Sequence, residues 1–206
     1  MNVFIYILNT LADWEVGYLT AEINNGRYLK KGTKKPDIVK VGKNLNPIKT
    51  MGGMEIIPDI CVKDIKAQKG DLLILPGADT WISEKNDEIL NFVKEKIGSE
   101  IIIAAICGAT MALANHGLLN EIKHTSNDLG FLKMICPNYK GEKYYCNEYA
   151  VTESNLITAT GIAPLEFTYE VFNKINIMEK NTVEAWYNLY KTKESRYFFE
   201  LMESIK

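Results

Sequence analysis

The stretch EIIIAAICGATMALAN, residues 100–115, decides the fold of this chain. Residues 100–106 give the strongest strand signal, because a glutamate is followed there by six apolar residues, as expected for a parallel strand buried on both faces. The small residues at 109–115 predict a helix that follows directly. Cys107 stands between the two, with an alanine two positions before it and another two positions after it. The sequence therefore predicts a tight strand-to-helix turn with a cysteine at its apex.

The same alternation of strands and helices extends in both directions from this turn. Strands are predicted at residues 2–9, 36–42 and 71–75 and within 148–159, with a hairpin at 48–62. Helices are predicted at residues 14–25, capped by Asp13, at 84–97, at 164–175 and in the tail from about 179 to 205. Such alternation requires a mostly parallel sheet with helices on both faces. We predict a three-layer α/β/α sandwich, with residues 1–206 forming one domain because no repeat or linker is found.

Composition and charge argue against several classes of protein. The 206 residues are 47% hydrophobic and 24% charged, which is typical of a globular domain. The net charge of −2 and the scattered lysines argue against a nucleic-acid groove. No apolar stretch approaches 18 residues, and the first ten residues lack the basic segment of a signal peptide. The four cysteines show no CxxC spacing and there are two histidines, so we expect a cytoplasmic protein with reduced thiols, no metal and no cofactor.

The predicted turn suggests a chemical role for Cys107. It would lift the side chain above the carboxyl edge of the sheet, where open α/β folds bind ligands. The adjacent helix N-terminus favours the thiolate, so we expect a Cys107 pKa well below the ordinary value of about 8.5. The alternative is an inert cysteine packed at a strand end, because free cysteine is often buried. Backbone N–H groups of Gly77, Ala78 and Gly108 would bind a negatively charged oxygen nearby, unless residues 76–78 are only an ordinary turn.

Five motifs, in this order, resemble the ThiJ/PfpI family of the class I glutamine amidotransferase-like superfamily. They are ADWE at 12–15, LLILPGA at 72–78, AAICGAT at 104–110, HTSN at 124–127 and ITATGIAPLEF at 157–167. Together they extend over most of the chain, and AAICGAT following LPGA is their most specific part. The resemblance implies the flavodoxin-like fold of that superfamily and a homodimer.

The resemblance also implies roles for individual residues. Cys107 matches the reactive cysteine of the family, Glu15 the acid that approaches its sulfur, and His124 the histidine that many members place beside it. Ala78 and Gly108 match the positions whose backbone N–H groups bind an oxyanion. A carboxyl group beside a thiolate keeps its proton, because ionising it would bring two negative charges together. Without the resemblance, Glu15 would be interpreted as a first-turn acid and His124 as a hydrogen-bonded loop histidine.

The chain departs from the family pattern in ways that limit its function. Gly108 stands where the peptidase-like branch carries histidine, which argues against proteolysis by the dyad of that branch. Residues 163–166 lack the His-x-Glu pair of true glutamine amidotransferases, so glutamine hydrolysis is not expected. No acid is identified that would orient His124, and Asp128 and Glu166 are candidates.

We therefore expect a cysteine-nucleophile hydrolase or lyase that acts on small amide or carbonyl compounds. Amidase- or peptidase-like hydrolysis and glyoxalase- or deglycase-like chemistry both fit these residues. The alternative is a redox-sensing or chaperone-like stress protein that uses an oxidisable Cys107. The expected partners are a small-molecule substrate and a second copy of the chain, with no nucleic acid or membrane. The C-terminal tyrosines and phenylalanines would form the dimer contact, or else would cover the protein's own core.

Overall fold

The computed structural model describes residues 1–83 and 85–206, and in them strands and helices alternate along the chain. The strands are β1 (Asn2–Tyr6), β2 (Asp37–Gly42), β3 (Ile48–Lys49), β4 (Glu55–Ile56), β5 (Ile60–Cys61), β6 (Leu72–Leu75), β7 (Ile102–Ile106), β8 (Ala150–Glu153) and β9 (Leu156–Ala159). The helices are α1 (Asp13–Asn25), α2 (Thr80–Ser83), α3 (Asp87–Lys96), α4 (Gly108–Asn115), α5 (Leu129–Ile135), α6 (Pro164–Ile175), α7 (Lys180–Thr192) and α8 (Ser195–Ser204).

The main sheet has the strand order β5-β2-β1-β6-β7-β9-β8. Its strands pair in parallel except for β8, which runs antiparallel to β9 and completes a hairpin with it. Strands β3 and β4 form a separate antiparallel pair. The mostly parallel sheet that the sequence predicts is therefore confirmed.

Two apolar cores cover the two faces of this sheet. Successive residues of a strand point to opposite faces, so Val3 and Ile5 of β1 belong to one core and Phe4 and Tyr6 to the other. Helices α1, α6, α7 and α8 pack on the first face, and α3, α4 and α5 pack on the second. Each fully buried large apolar side chain contributes roughly 1.5–3 kcal/mol. The three-layer α/β/α architecture is confirmed.

The carboxyl ends of β1, β6, β7 and β9 lie side by side at one edge of the sheet. The order of strands reverses between β1 and β6, because β2 lies on one side of β1 and β6 on the other. Open α/β sheets bind ligands in the crevice at such a reversal. The segments that leave these four strands carry Glu15, Gly77, Cys107 and Gly161, so the fold brings these residues to one edge.

Asp13 does not cap α1 as the sequence predicts. The N-cap position belongs to Ala12 and has no side-chain cap. Asp13 instead accepts a hydrogen bond from the Gly52 N–H at 2.6 Å between Oδ2 and N. This carboxylate therefore ties the turn between β3 and β4 to the start of α1, close to Glu15.

Two other elements differ from the predicted bounds. The predicted hairpin at 48–62 is shorter, because β5 leaves it and joins the main sheet beside β2. The helix predicted at 84–97 is Asp87–Lys96, and residue 84 lies outside the described residues.

The C-terminal tail forms α7 and α8. Its aromatic residues divide between the two predicted roles, a cover over the protein's own core and a contact with a second copy. Trp186 is fully buried and covers the core, whereas Phe198 and Phe199 are 47% and 68% exposed. The homodimer remains a prediction. In residues 1–83 and 85–206, no helix is long and apolar enough to cross a membrane.

Candidate active site

Cys107 occupies the turn between β7 and α4. Its backbone has φ 57° and ψ −121°, a conformation that residues with a Cβ rarely adopt. The Cys107 N–H still donates to the Ala159 carbonyl at 3.0 Å, so the strand ladder continues up to the turn. Ala105 and Ala109 are fully buried, which leaves no room for larger side chains. The predicted tight turn is present, and the sheet and the helix together hold its strained backbone.

Glu15 reaches Cys107 from the first turn of α1. Glu15 is 1% exposed, and its Oε2 accepts a hydrogen bond from the Gly77 N–H at 2.6 Å. Its Oε1 has no hydrogen-bond partner among the described residues and lies beside Gly161, as the sulfur of Cys107 does. The structure therefore brings together the acid and the cysteine that the sequence singles out.

Two glycines let this pair approach so closely. A Cβ on Gly77 would lie 2.5 Å and 2.6 Å from the two carboxylate oxygens of Glu15. A Cβ on Gly161 would lie 2.6 Å from the Cys107 sulfur and 3.2 Å from Glu15 Oε1. No side chain fits at either position without displacing the pair. The sequence alone did not predict a role for Gly161, although this glycine lies within the ITATGIAPLEF motif.

The pKa values of Cys107 and Glu15 are both raised above their ordinary values. Burial, and then the negative charge of Glu15, raise the pKa of Cys107 to about 11. Burial also raises the pKa of Glu15. Ionising both groups would bring two negative charges together in a buried site, so the pair retains a proton. The prediction of a low thiol pKa is wrong, because lost hydration and the Glu15 charge outweigh the hydrogen bonds that the sulfur receives.

The backbone of Ala78 lies against that of Gly108, the residue after Cys107. A Cβ on Gly108 would lie 2.8 Å from the Ala78 carbonyl oxygen and 3.3 Å from its nitrogen, so the two backbone segments are in close contact. The Gly108 N–H favours the thiolate of Cys107 and lowers its pKa, and the Ala78 N–H donates to no group of the described residues. An oxyanion site requires backbone donors that converge on one oxygen. The use of these two N–H groups for an oxyanion remains a prediction.

His124 does not lie where the sequence predicts it. It is fully buried, with Nδ1 2.7 Å from the Ile122 carbonyl oxygen and Nε2 2.8 Å from the Tyr139 hydroxyl. The rings of Tyr139 and Tyr145 pack edge-on against it, and burial lowers the pKa of His124. Within the described residues no hydrogen bond joins it to Cys107. The assignment of His124 as a proton carrier beside the sulfur is therefore corrected to a structural histidine with both nitrogens bonded.

Asn127 takes the place beside the sulfur instead. Its Nδ2 donates to Cys107 Sγ at 3.4 Å. Its Oδ1 accepts the Gly161 N–H at 2.8 Å and the Thr160 hydroxyl at 3.4 Å. It is the last residue of the HTSN motif, three positions after His124. The sequence did not single it out, because an amide does not titrate and therefore lacks the chemical signal of an acid, a base or a nucleophile.

The two candidate acids for orienting His124 have other partners. Asp128 caps α5, since its Oδ1 accepts the Phe131 N–H at 2.7 Å. Glu166 accepts the hydroxyl of Tyr187 at 3.1 Å. Neither carboxylate hydrogen-bonds to His124, so both candidacies are corrected to structural roles.

A cavity of about 340 Å³ opens next to Asn127. Asn127 and Thr160 line the side nearest the cysteine, and the exposed Tyr149 and Ile162 line the outside. A larger cavity of about 640 Å³ is lined by none of the site residues. Its lining contains Ser154, which precedes β9, whereas the site lies beyond the carboxyl end of that strand. Nowhere in residues 1–83 and 85–206 do three or more His, Cys, Asp or Glu side chains group as metal ligands. The smaller cavity therefore adjoins the site through Asn127 and Thr160.

Comparison with known proteins identifies relatives that cover most of the chain. YoaZ of Bacillus subtilis (strain 168), named an uncharacterized protease, is 48% identical over 204 residues, which are 99% of this chain and 97% of that protein. The crystal structure of a thiJ/pfpI family protein from Bacillus anthracis has a TM-score of 0.96 and 50% identity, covering 98% and 96% of the two chains. DJR-1.2 of Caenorhabditis elegans, named a glutathione-independent glyoxalase, is 26% identical over 148 residues, 69% of this chain and 75% of that protein.

A family model agrees with these relatives. The sequence model of the DJ-1/PfpI family matches residues 1–174. This range includes the cysteine turn, Glu15, Asn127 and both glycines that flank the pair. The resemblance found in the five sequence motifs is confirmed. The chain belongs to the DJ-1/PfpI family.

Proposed function

We propose that the protein is a cysteine-dependent enzyme with glyoxalase-like activity, which converts small 2-oxoaldehydes into 2-hydroxy acids. The observation that carries this proposal is the buried Cys107–Glu15 pair, in which the Gly77 N–H holds the carboxylate against the turn and the hydrogen bonds of His124 go elsewhere. One nucleophile and one carboxylate are the groups that this isomerisation needs. The name of the Caenorhabditis elegans relative, a glutathione-independent glyoxalase, supports the same chemistry.

In the first step the sulfur of Cys107 adds to the aldehyde carbon. A sulfur–carbon bond forms, the electron pair of the carbonyl double bond moves to oxygen, and Glu15 takes the thiol proton. Neighbouring general bases activate weak nucleophiles in this way, so a thiol with a raised pKa is not an obstacle. The N–H groups of Ala78 and Gly108 stabilise the oxygen anion until Glu15 returns the proton to it. The product is a hemithioacetal.

In the second step Glu15 moves a proton between the two carbons. Its carboxylate removes the hydrogen from the former aldehyde carbon and returns it to the neighbouring carbon, while the hydroxyl proton moves to the neighbouring oxygen. The result is a thioester of a 2-hydroxy acid, an isomer of the hemithioacetal. Water then hydrolyses the thioester and regenerates the thiol. The net reaction adds one water and needs no oxidant or reductant.

Hydrolysis of a small amide or peptide is a second candidate. The Bacillus subtilis relative is named an uncharacterized protease, and the proton that Glu15 takes from the thiol is available for a leaving amine. A redox sensor is less well supported, since peroxide reacts with the thiolate. A pKa of about 11 for Cys107 leaves little thiolate near neutral pH.

The test is a comparison of two substrates. The purified protein is incubated with methylglyoxal, with lactate measured, and separately with a chromogenic amide. We expect lactate from the wild type and none from Cys107→Ala. The rate of Glu15→Gln should be lower than that of the wild type by at least about a hundredfold, the usual loss when a general base is removed. The half-buried Cys61, at the edge of the sheet, provides the matched control, and Cys61→Ala should retain the wild-type rate.

Either of two results would contradict the proposal. Lactate formation by Cys107→Ala at the wild-type rate would remove the nucleophile from the reaction. Amide hydrolysis that depends on Cys107, without any lactate formation, would establish the second candidate instead.

A further inference from the structure

The amide of Asn127 is held in one orientation. Its Oδ1 accepts the Gly161 N–H at 2.8 Å and the Thr160 hydroxyl at 3.4 Å, and an N–H group in place of that oxygen would be unable to accept either. With the oxygen fixed in this way, Nδ2 must point to Cys107 Sγ, 3.4 Å away. The sulfur therefore receives an N–H donor from Asn127 whatever its own protonation state.

We propose that Asn127 is a further catalytic residue of the activity proposed above, and that its amide steadies the Cys107 sulfur as a thiolate while Glu15 carries the thiol proton. This inference rests on the proposed function for its role in turnover. Its physical content, a donor that favours the thiolate, holds for any reaction of the sulfur. No bond to Asn127 is made or broken, and no proton leaves its amide.

The charges around the sulfur make this donor important. Glu15 from α1 is the titratable group that acts on the sulfur, and its charge opposes the thiolate. From α4 the Gly108 N–H favours it, and from the loop before α5 the Asn127 amide favours it. Within the part of the chain that the structure describes, no lysine, arginine or histidine acts on the sulfur. Two neutral donors therefore provide the local stabilisation, and loss of one is not compensated by a cation.

An amide also gives this site a pH dependence that differs from that of a cysteine–histidine pair. Asparagine keeps its donor throughout the accessible pH range, whereas an imidazole gains and loses a proton near its ordinary pKa of about 6.5. The reactivity of the sulfur should therefore follow the shared proton of Cys107 and Glu15 alone. His124 is bonded elsewhere and adds no further titration at this site.

The test is the rate at which iodoacetamide alkylates Cys107 across pH, followed by mass spectrometry of the peptide that contains it. Asn127→Asp retains an oxygen for Gly161 and Thr160 but replaces the donor with a second acceptor. We expect its alkylation at pH 8 to be slower by about tenfold, which corresponds to a shift of one pKa unit. Asn127→Leu, which removes the donor without adding charge, should be slower by about threefold, because the loss of one neutral donor is the smaller effect.

Asn138 provides the matched control, because it is an exposed asparagine that lines neither cavity and has no hydrogen bond to the sulfur. Asn138→Leu should be alkylated at the wild-type rate. Asn127 is itself exposed, and thermal melts will verify that its variants fold. Wild-type alkylation rates and pH profiles in both folded Asn127 variants would overturn the proposal. Alkylation needs no turnover, so a wild type that forms no lactate would refute the proposed function separately.

Discussion

Glu15 and His124 are both buried ionisable residues, and they illustrate two different uses of burial. They are 1% and 0% exposed, so exposure does not distinguish them. Both ring nitrogens of His124 have a hydrogen-bond partner, whereas Glu15 has one oxygen that receives no N–H or O–H among the described residues. That oxygen lies beside Gly161, as the sulfur of Cys107 does.

The difference lies in whether the surrounding structure satisfies the polar group. Leaving a buried polar atom without a partner costs about 1–3 kcal/mol, and the loss persists only where the rest of the fold compensates for it. His124 adds to stability because the loop around it satisfies it. Glu15 is held against a thiol by two glycines and a strained turn, an arrangement that favours proton transfer. Three substitutions test this contrast, in order of decreasing effect on stability.

The largest effect is expected from Gly77→Ala. Its Cβ would lie 2.5 Å from one Glu15 oxygen and 2.8 Å from the Cβ of Cys107, so the pair must move. Overpacking of this kind costs roughly 1–3 kcal/mol, and turnover should be lost as well. In Gly17→Ala the new Cβ meets nothing within 4 Å, and the helix should gain up to about 1 kcal/mol. Urea unfolding measures both changes, and equal effects of the two substitutions would contradict the geometry.

An intermediate effect is expected from His124→Phe. The substitution leaves the Tyr139 hydroxyl and the Ile122 carbonyl without their partner, so we expect a loss of about 2 kcal/mol in unfolding free energy. Alkylation of Cys107 should keep its wild-type rate, because no hydrogen bond links the two residues in the described part of the chain. Tyr139→Phe, which removes one of the same hydrogen bonds, should cost less. A folded His124→Phe variant with slowed alkylation would return the histidine to the active site.

The smallest effect on stability is expected from Glu15→Gln. Unlike the other two substitutions, it should make the protein more stable. Burial raises the pKa of Glu15 above its ordinary 4.5, so the folded state binds this proton more tightly than the unfolded state. The resulting stabilisation is complete below pH 4.5 and is lost as the pH rises through the higher, folded pKa. Glutamine carries no charge, so the melting temperature of the variant relative to wild type should rise by a few degrees between pH 4 and pH 8.

The same substitution should separate reactivity from turnover. Without the negative charge of Glu15, the pKa of Cys107 falls and alkylation becomes faster, while lactate formation decreases because the proton carrier is gone. Thermal melts at several pH values and an alkylation assay provide the measurements. A variant that alkylates more slowly than the wild type would show that Glu15 favours the thiolate rather than opposing it.

The strands, their parallel pairing and the turn at Cys107 were predictable from the sequence. Continuous apolar runs bounded by glycine and proline identify buried strands, and small residues on both sides of a cysteine identify a tight turn. The positions of Ala78 and Gly108 follow from the same logic, because carboxyl ends of neighbouring parallel strands share an edge. The place of Glu15 beside the cysteine was implied by the family resemblance. These features depend on a few adjacent residues, and short-range sequence patterns report them well.

Only the tertiary structure decided which residue of the HTSN motif reaches the sulfur, and in which direction the thiol pKa shifts. The path of the loop between α4 and α5 buries His124 among tyrosines and brings Asn127 to Cys107. The two residues are only three positions apart, so the sequence does not reveal which of them contacts the sulfur. The pKa is raised because burial and the charge of Glu15 both act on the sulfur. Each depends on how distant segments pack, since hydration and Coulomb energies follow distances in space rather than positions in the chain.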